Sequence, residues 1–245
     1  MRKLLAALLL LGAVARASAG DDPRTVIAKA IAAQGGEGKL ASVRAGRSTM
    51  RGTLFDGNRE IAFTGEQSIQ LPGQIKIALT LKTAPKTTKI VEVIDGDKGW
   101  ISIDGQVKEA DASSLARARQ LLYLSRITRL TPLLGEKEFE LTALEESKVN
   151  DRPTAGVKVV SKGQKDVGLY FDKETGLLVK VEYPTRNNQD REVTQEDLFS
   201  DYAEFGGIKL PRKNVSFQDG KKLVDVEIVN ARFPDSIPSS EFGKP

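Results

Sequence analysis

From Val43 almost to the C-terminus, apolar side chains recur at every second position, and no other feature limits the fold as tightly. The clearest run is Ile75, Ile77, Leu79 and Leu81, alternating with Lys76, Ala78, Thr80 and Lys82. A period of two is that of a strand with one face buried, so these residues share one side of a sheet. Ile61 with Phe63, and Ile69 with Leu71, continue the pattern upstream. The runs are punctuated by Asp56-Gly57, Asp95-Gly96, Asp104-Gly105 and Asp219-Gly220, and by Pro72-Gly73 and Thr175-Gly176. Such dipeptides supply the positive φ of tight hairpins. The spacing predicts about eleven strands, over 43–55, 59–71, 75–82, 89–95, 100–108, 138–145, 155–161, 167–172, 177–183, 193–205 and a C-terminal pair near 208–218 and 222–231. Strands joined by turns this short pair with their neighbours, which makes an antiparallel meander.

Two segments depart from that period. Asp21-Asp22-Pro23 opens a helix over 24–34, with Val26, Ile27, Ala30 and Ile31 at helical spacing and Gly35-Gly36 closing it. Residues 111–134 begin at a cap, Asp111 or Ser113, and run without Gly or Pro to Pro132, giving one helix or two short ones. Leu121, Tyr123, Leu124, Ile127, Leu130 and Leu134 spread over a sector of about 180°. Arg119, Arg126 and Arg129 share a narrower arc, and the stretch 112–135 contains no acidic residue. The wide apolar face fits either ordinary core or a lid over an apolar cavity. The basic arc fits either a solvated face or contact with anionic headgroups or an acidic partner.

Function is bounded by two zeros. With no His and no Cys, the chain can build no Ser-His-Asp or Cys-His nucleophile system, no imidazole or thiolate metal site and no disulfide. Asp95-Gly96-Asp97-Lys98-Gly99 lacks the later ligands of a calcium loop and reads as a hairpin, so neither metal nor cofactor is expected. The net charge of +4 would suit nucleic acid. Yet Arg2, Lys3 and Arg16 belong to a stretch whose apolar run, Leu4 to Val14, ends in Ala17-Ser18-Ala19. That is the pattern of a cleaved signal peptide over 1–19, too short to span a bilayer. Without it, 34 basic residues face 33 acidic ones, and no nucleic-acid partner is expected. No Cys is present to carry a lipid, so the expectation is a periplasmic protein with a single domain over 20–245. Carboxylate pairs such as Glu60 with Glu66, Glu145 with Glu146, or Glu196 with Asp197 leave room for a hydrolase. Solvated strand faces account for them more simply.

Several segments in order resemble the LolA/LolB-type fold of outer-membrane lipoprotein-sorting proteins. They are the first helix closing at Gly35-Gly36, the hairpin Ile94 to Trp100, Leu169-Tyr170-Phe171-Asp172-Lys173-Glu174-Thr175-Gly176, Asp201-Tyr202 with Phe205-Gly206-Gly207, and the closing Phe242-Gly243-Lys244-Pro245. The resemblance implies a mainly β, open and strongly curved antiparallel sheet, an incomplete barrel with an N-terminal helix and a lid helix on its concave side. It further implies a non-catalytic carrier of a lipid, a lipoprotein acyl chain or another apolar ligand, with an envelope protein as possible donor or receiver and peripheral membrane contact. On that basis the cavity is expected to be lined by Ile61, Phe63, Ile75, Ile77, Leu79 and Trp100 from strands, and by Leu121, Leu124, Ile127 and Leu130 from the helix. Arg119, Arg126 and Arg129 are expected to meet a headgroup or partner. The alternative is an interaction or sensor module of the same fold with no transported ligand.

Overall fold

The computed structural model describes residues 21–187 and 189–245; the export signal read at 1–19 lies outside them. The chain begins with helices α1 (Pro23–Gln34) and α2 (Glu37–Ser42). A first meander follows, of β1 (Ala45–Asp56), β2 (Arg59–Gln70), β3 (Gln74–Thr83), β4 (Lys86–Asp95), β5 (Lys98–Ile103) and β6 (Gln106–Glu109). After α3 (Ala112–Ile127) and α4 (Thr131–Gly135) comes a second: β7 (Phe139–Val149), β8 (Arg152–Ser161), β9 (Val167–Asp172), β10 (Leu178–Arg186), β11 (Glu192–Phe205), β12 (Ile208–Gln218) and β13 (Lys221–Arg232). The two meanders join where β1 pairs with β13. All the strands form one antiparallel sheet in the order β6-β5-β4-β3-β2-β1-β13-β12-β11-β10-β9-β8-β7.

The sheet has thirteen strands rather than about eleven. The expected run 100–108 folds back on itself at Asp104 (φ 49°) and Gly105 (φ 88°), so Ile103 pairs with Gln106 and one strand becomes two. The C-terminal pair stays separate, split at Asp219-Gly220. Helix 111–134 likewise divides. Pro132 would drive its ring into the carbonyl four residues back in a continuous helix, and the chain instead turns through Leu130 at φ 66° before α4. At the start, Asp22 caps α1 by accepting the Thr25 N–H at 2.9 Å, Pro23 occupies the first turn, and Gly35 ends the helix at φ 136°. Val26, Ile27, Ala30 and Ile31 are buried, as their spacing requires.

The sheet curls round the helices, and consecutive residues of α3 show this directly. Leu122 packs with Ile75 and Ile94 of the first meander, and Tyr123 with the cluster that holds Val157, Val167 and Leu169 of the second. The largest core cluster lies under this half of the sheet, where α1, α4 and the end of α3 meet β8, β9 and β10. On the opposite, outer face the C-terminal segment crosses the first meander. Ile237 and Phe242 sit in a socket of Ala45 and Val93, and Glu241 takes bonds from Arg47 and Ser68.

Candidate functional site

Strand alternation and register together assign each side chain to the inner, helix-bearing face or the outer one. Ile75 is level with Ile94 and Ile69, and these pack on Ala118 and Leu122 of α3. Moving away from the helix along the same face, Ile77 comes first, then Leu79 beside Ile90, Gly65 and Met50, then Leu81 beside Phe63 and Gly52, then Ile61 beside Leu54. Across β13 the face continues with Ile228, Val226 and Val224. Beyond the reach of α3 most of these side chains are only half-buried. They form a lane, apolar but for Ser48, Gln67 and Glu92 level with Ile77 and for Thr88 beside Leu81, along the inner face of β13, β1, β2, β3 and β4.

Two glycines shape its floor. A Cβ on Gly52 would stand 2.8 Å from the Phe63 ring, and one on Gly65 would stand 2.5 Å from Leu79. Their absence lets Phe63 and Leu79 lie across the neighbouring strand, and Phe63 is 4% exposed as a result.

Toward β10 and β12 the inner face becomes polar. The Asp197 carboxylate accepts from Tyr183 Oη at 3.2 Å, from the Ser216 hydroxyl and from Gln195 Nε2 at 3.0 Å, while Gln218 donates to Gln195. Burial, and then the Asp197 charge, push the Tyr183 phenol far above its ordinary range. On β4, burial raises Glu92 against the opposing pull of Arg117. Two buried polar atoms, Tyr123 Oη and Asn214 Oδ1, have no partner among the described residues.

The expected lining residues separate into three groups. Ile61, Ile77 and Leu79 lie on the lane, and Phe63 is packed into its floor. Ile75 and Leu121 face each other in the contact between β3 and α3. Leu124, Ile127 and Leu130 are closed core, with Ile127 and Leu130 at 0% exposure among α1, α4 and the second meander. Trp100 requires a correction. It pairs with Val93, so it points to the outer face, where it packs beside Ile237 and Phe242.

Each of the three arginines is engaged within the chain. Arg119 bonds Asp97 at 2.8 Å at the tip of the β4–β5 hairpin. Arg126 pairs with Glu136 and, at 2.6 Å, with Glu138, and stacks 5.2 Å over Phe139. Arg129 donates to the Val43 carbonyl, and burial lowers its pKa to about 10. The carboxylate pairs do not converge. Glu60 and Glu66 are exposed on the outer face, about 20 Å apart along β2. Glu196 and Asp197 are consecutive and point to opposite faces, and exposed Glu146 holds Lys173 at 2.5 Å. Among the described residues no three acidic groups gather as a metal would need.

A cavity of about 650 Å³ opens between α3 and the turns that follow β8 and β10. Sequence reading missed it, because its walls come from a helix and two distant turns. The only trace in the sequence is the stripe Ser113, Ala116, Arg117, Gln120 and Tyr123 on α3.

No protein-family model matches the chain, and no curated protein matches it. Solved structures do. A DUF1329 family protein from Desulfovibrio piger superposes with a TM-score of 0.59 at 13% identity, over 91% of this chain and 98% of that one. A LolA superfamily protein from Nitrosomonas europaea gives 0.58 at 10% identity, with 91% and 98% covered. A domain assigned to the outer membrane lipoprotein-sorting proteins, from Vibrio parahaemolyticus, gives 0.54 at 11%, with 91% and 97% covered. At such identities the likeness is one of fold: the chain has the LolA-type architecture, an open, curved antiparallel sheet with helices on its inner face.

Proposed function

We propose that this chain is an exported, non-catalytic binding protein that holds a lipid, a lipoprotein acyl chain or another apolar ligand on the lane along the inner face of β13, β1, β2, β3 and β4. One observation carries the reading: beyond Ile77, which still packs at the edge of the α3 cluster, Ile61, Leu79, Leu81, Val224 and Val226 stay half-buried side by side on the inner face of the curved sheet, outside the clusters that the helices and the C-terminal segment cover. Apolar surface left open in a concave place is a binding surface. Each buried methylene contributes about 0.8 kcal/mol, so ten would supply about 8 kcal/mol, in the micromolar range before ordering costs. Release would then need a receiver that binds the chain better, which gives an envelope donor or receiver its place. The LolA-type fold supports the reading, and no helix among the described residues is long and apolar enough to cross a membrane.

Native mass spectrometry of protein released gently from the periplasm tests it. The expected result is a lipid-sized adduct whose removal lowers the melting temperature. Protein recovered with no adduct, and with the same melting temperature before and after delipidation, overturns the proposal.

A further inference from the structure

We propose that the ligand of the lane carries an ammonium head, and that Glu92, Gln67 and Ser48 receive it where the lane meets α3. The inference rests on the binding function proposed above and gives its ligand a chemical class. Register sets the three residues in one row across the inner face: Ser48 pairs with Gln67, Gln67 with Ile77, and Ile77 with Glu92. On one side of the row Ile69, Ile75 and Ile94 are closed over by Ala118 and Leu122 of α3. On the other, Met50, Gly65, Leu79 and Ile90 begin the open lane. The row is a polar belt between closed core and open apolar surface.

Polar groups in such a place cost stability unless they find partners. All three residues are half-buried, and among the described residues their side chains make no hydrogen bond and no ion pair. Their polar atoms are not closed off as Tyr123 Oη and Asn214 Oδ1 are, so a ligand can reach them.

Glu92 fixes the sign of the charge. Away from the hairpin tips it is the one charged side chain on the inner face of β13, β1, β2, β3 and β4. Burial raises its carboxyl, Arg117 of α3 draws it down, and Asp111 pushes it up again. Arg117 stays beyond ion-pairing distance, its guanidinium donating to the hydroxyls of Ser113 at 3.2 Å and Ser114 at 2.9 Å. Lys108 shares the face but lies two strands away across Ile101, exposed near the sheet edge. The Glu92 carboxylate therefore has no cation in contact. Asp197, on the inner face of the second meander, differs, because its oxygens already accept from Tyr183, Gln195 and Ser216.

A carboxylate without a counter-ion, beside an amide and a hydroxyl, recognises a group that is positive and donates hydrogen bonds. An ammonium has three donors to share among them. Glu92 and Gln67 stand two strands apart, about 10 Å, a gap that two long side chains on a concave face can close around one nitrogen. An anionic head would meet like charge there. With the head at the belt, the chain runs over Leu79 and Ile90 toward Leu81 and Ile61.

Calorimetric titration of the full chain at neutral pH with decylammonium, decanol and decanoate, each below its critical micelle concentration, tests the proposal. Glu92→Gln is expected to weaken decylammonium about tenfold, or about 1.4 kcal/mol, to leave decanol unchanged and not to weaken decanoate. Gln67→Leu is expected to weaken decylammonium about threefold. Glutamine matches glutamate in size, and an undiminished melting temperature verifies that the variant folds. Decylammonium bound equally by the wild type and Glu92→Gln, or decanoate weakened as much as decylammonium, overturns the ammonium head and leaves the lane standing. Decylammonium bound through Glu92 with no affinity for decanol keeps the ammonium site and removes the lane. No affinity for any of the three overturns both.

Discussion

Truncating Ile127 and charging Leu79 distinguishes the part of the inner face that is core from the part that is open. Ile127 is at 0% exposure in the cluster formed by α1, α4 and β8 to β10. Its neighbours, among them Leu130, Leu133, Val157 and Leu169 at 0% exposure, are anchored in separate elements and cannot collapse together into a void. Ile127→Ala should therefore cost about 3.5 kcal/mol, in the middle of the range for aliphatic-to-Ala changes in cores. For a domain of this size that is a fall of about 7–14 °C in melting temperature. Leu79 is half-buried, and a glutamate there can reach water. Leu79→Glu should cost about 1 kcal/mol, or 2–4 °C. An unpaired charge on the lane should nevertheless reduce retention of an apolar ligand about tenfold or more. Thermal denaturation followed by circular dichroism gives the first quantity, and native mass spectrometry of co-purified lipid the second. If Ile127→Ala leaves the melting temperature almost unchanged while emptying the protein of ligand, α3 lines the cavity and is not core. If Leu79→Glu unfolds the protein as severely as the core change, no open lane exists there.

Two further outcomes depend on pH. Burial tends to raise the Asp172 carboxyl, but the Thr175 N–H at 2.7 Å, its hydroxyl at 2.9 Å and the Arg152 guanidinium at 2.8 Å outweigh it and hold the group below its ordinary 3.8. Its stabilisation is therefore present above pH 3.8 and lost as the pH falls through the lower folded value. Asp172→Asn should cost about 2 kcal/mol at pH 7, with the two denaturation midpoints converging below pH 3.8. Glu92 has the opposite sign. Burial raises it above its ordinary 4.5, so the charged form destabilises the fold once the pH exceeds that value. Glu92→Gln should raise the melting temperature at pH 7 and make no difference below pH 4.5, as a pair of thermal scans would show.

The sheet was largely legible because its signals are local. Ile75, Ile77, Leu79 and Leu81 fall on one face of β3, and the Asp-Gly pairs sit at turns. The face a strand presents to the helices is not local. Trp100, Val91 and Val93 are apolar on the outer side because residues 233–245 return to cover that patch, so β4 and β5 are apolar on both faces and their phase carries no direction. The wide apolar sector of 111–134 had a similar origin. Leu122 serves the first meander while Tyr123, Leu124 and Ile127 serve the second, and one helix between two walls needs apolar residues on both sides. The acid-free stretch does not leave Arg119 and Arg126 unpaired, for a simple reason. The partners of its arginines come from just beyond it, Glu136 and Glu138 for Arg126, or from the distant hairpin tip, Asp97 for Arg119. The cavity beside α3 needed the third dimension altogether.

The packing of α3 also limits how a ligand could enter. If the whole helix swung away as a lid, Leu122, Tyr123, Leu124 and Ile127 would be uncovered together. At about 1.5–3 kcal/mol for each large apolar side chain, the cost is about 6–12 kcal/mol, comparable with the entire stability of an ordinary domain at about 5–15 kcal/mol. Such an opening would be close to unfolding. The first turns, Ala112 to Arg119, bury only Ser114 and Ala118 and are held at their outer end by the Arg119–Asp97 pair, which is worth little in solvent. The far end of the lane, at Leu54, Ile61 and Leu81, lies beyond α3 entirely. Entry along that open end, with at most the first turns of α3 yielding, exposes little core. Locking Arg119 and Asp97 together should then slow ligand exchange only modestly, whereas substitutions at Leu54 or Ile61 should change it directly. Stopped-flow exchange of a fluorescent fatty acid would separate the two routes, and a locked helix that blocks exchange outright would restore the lid.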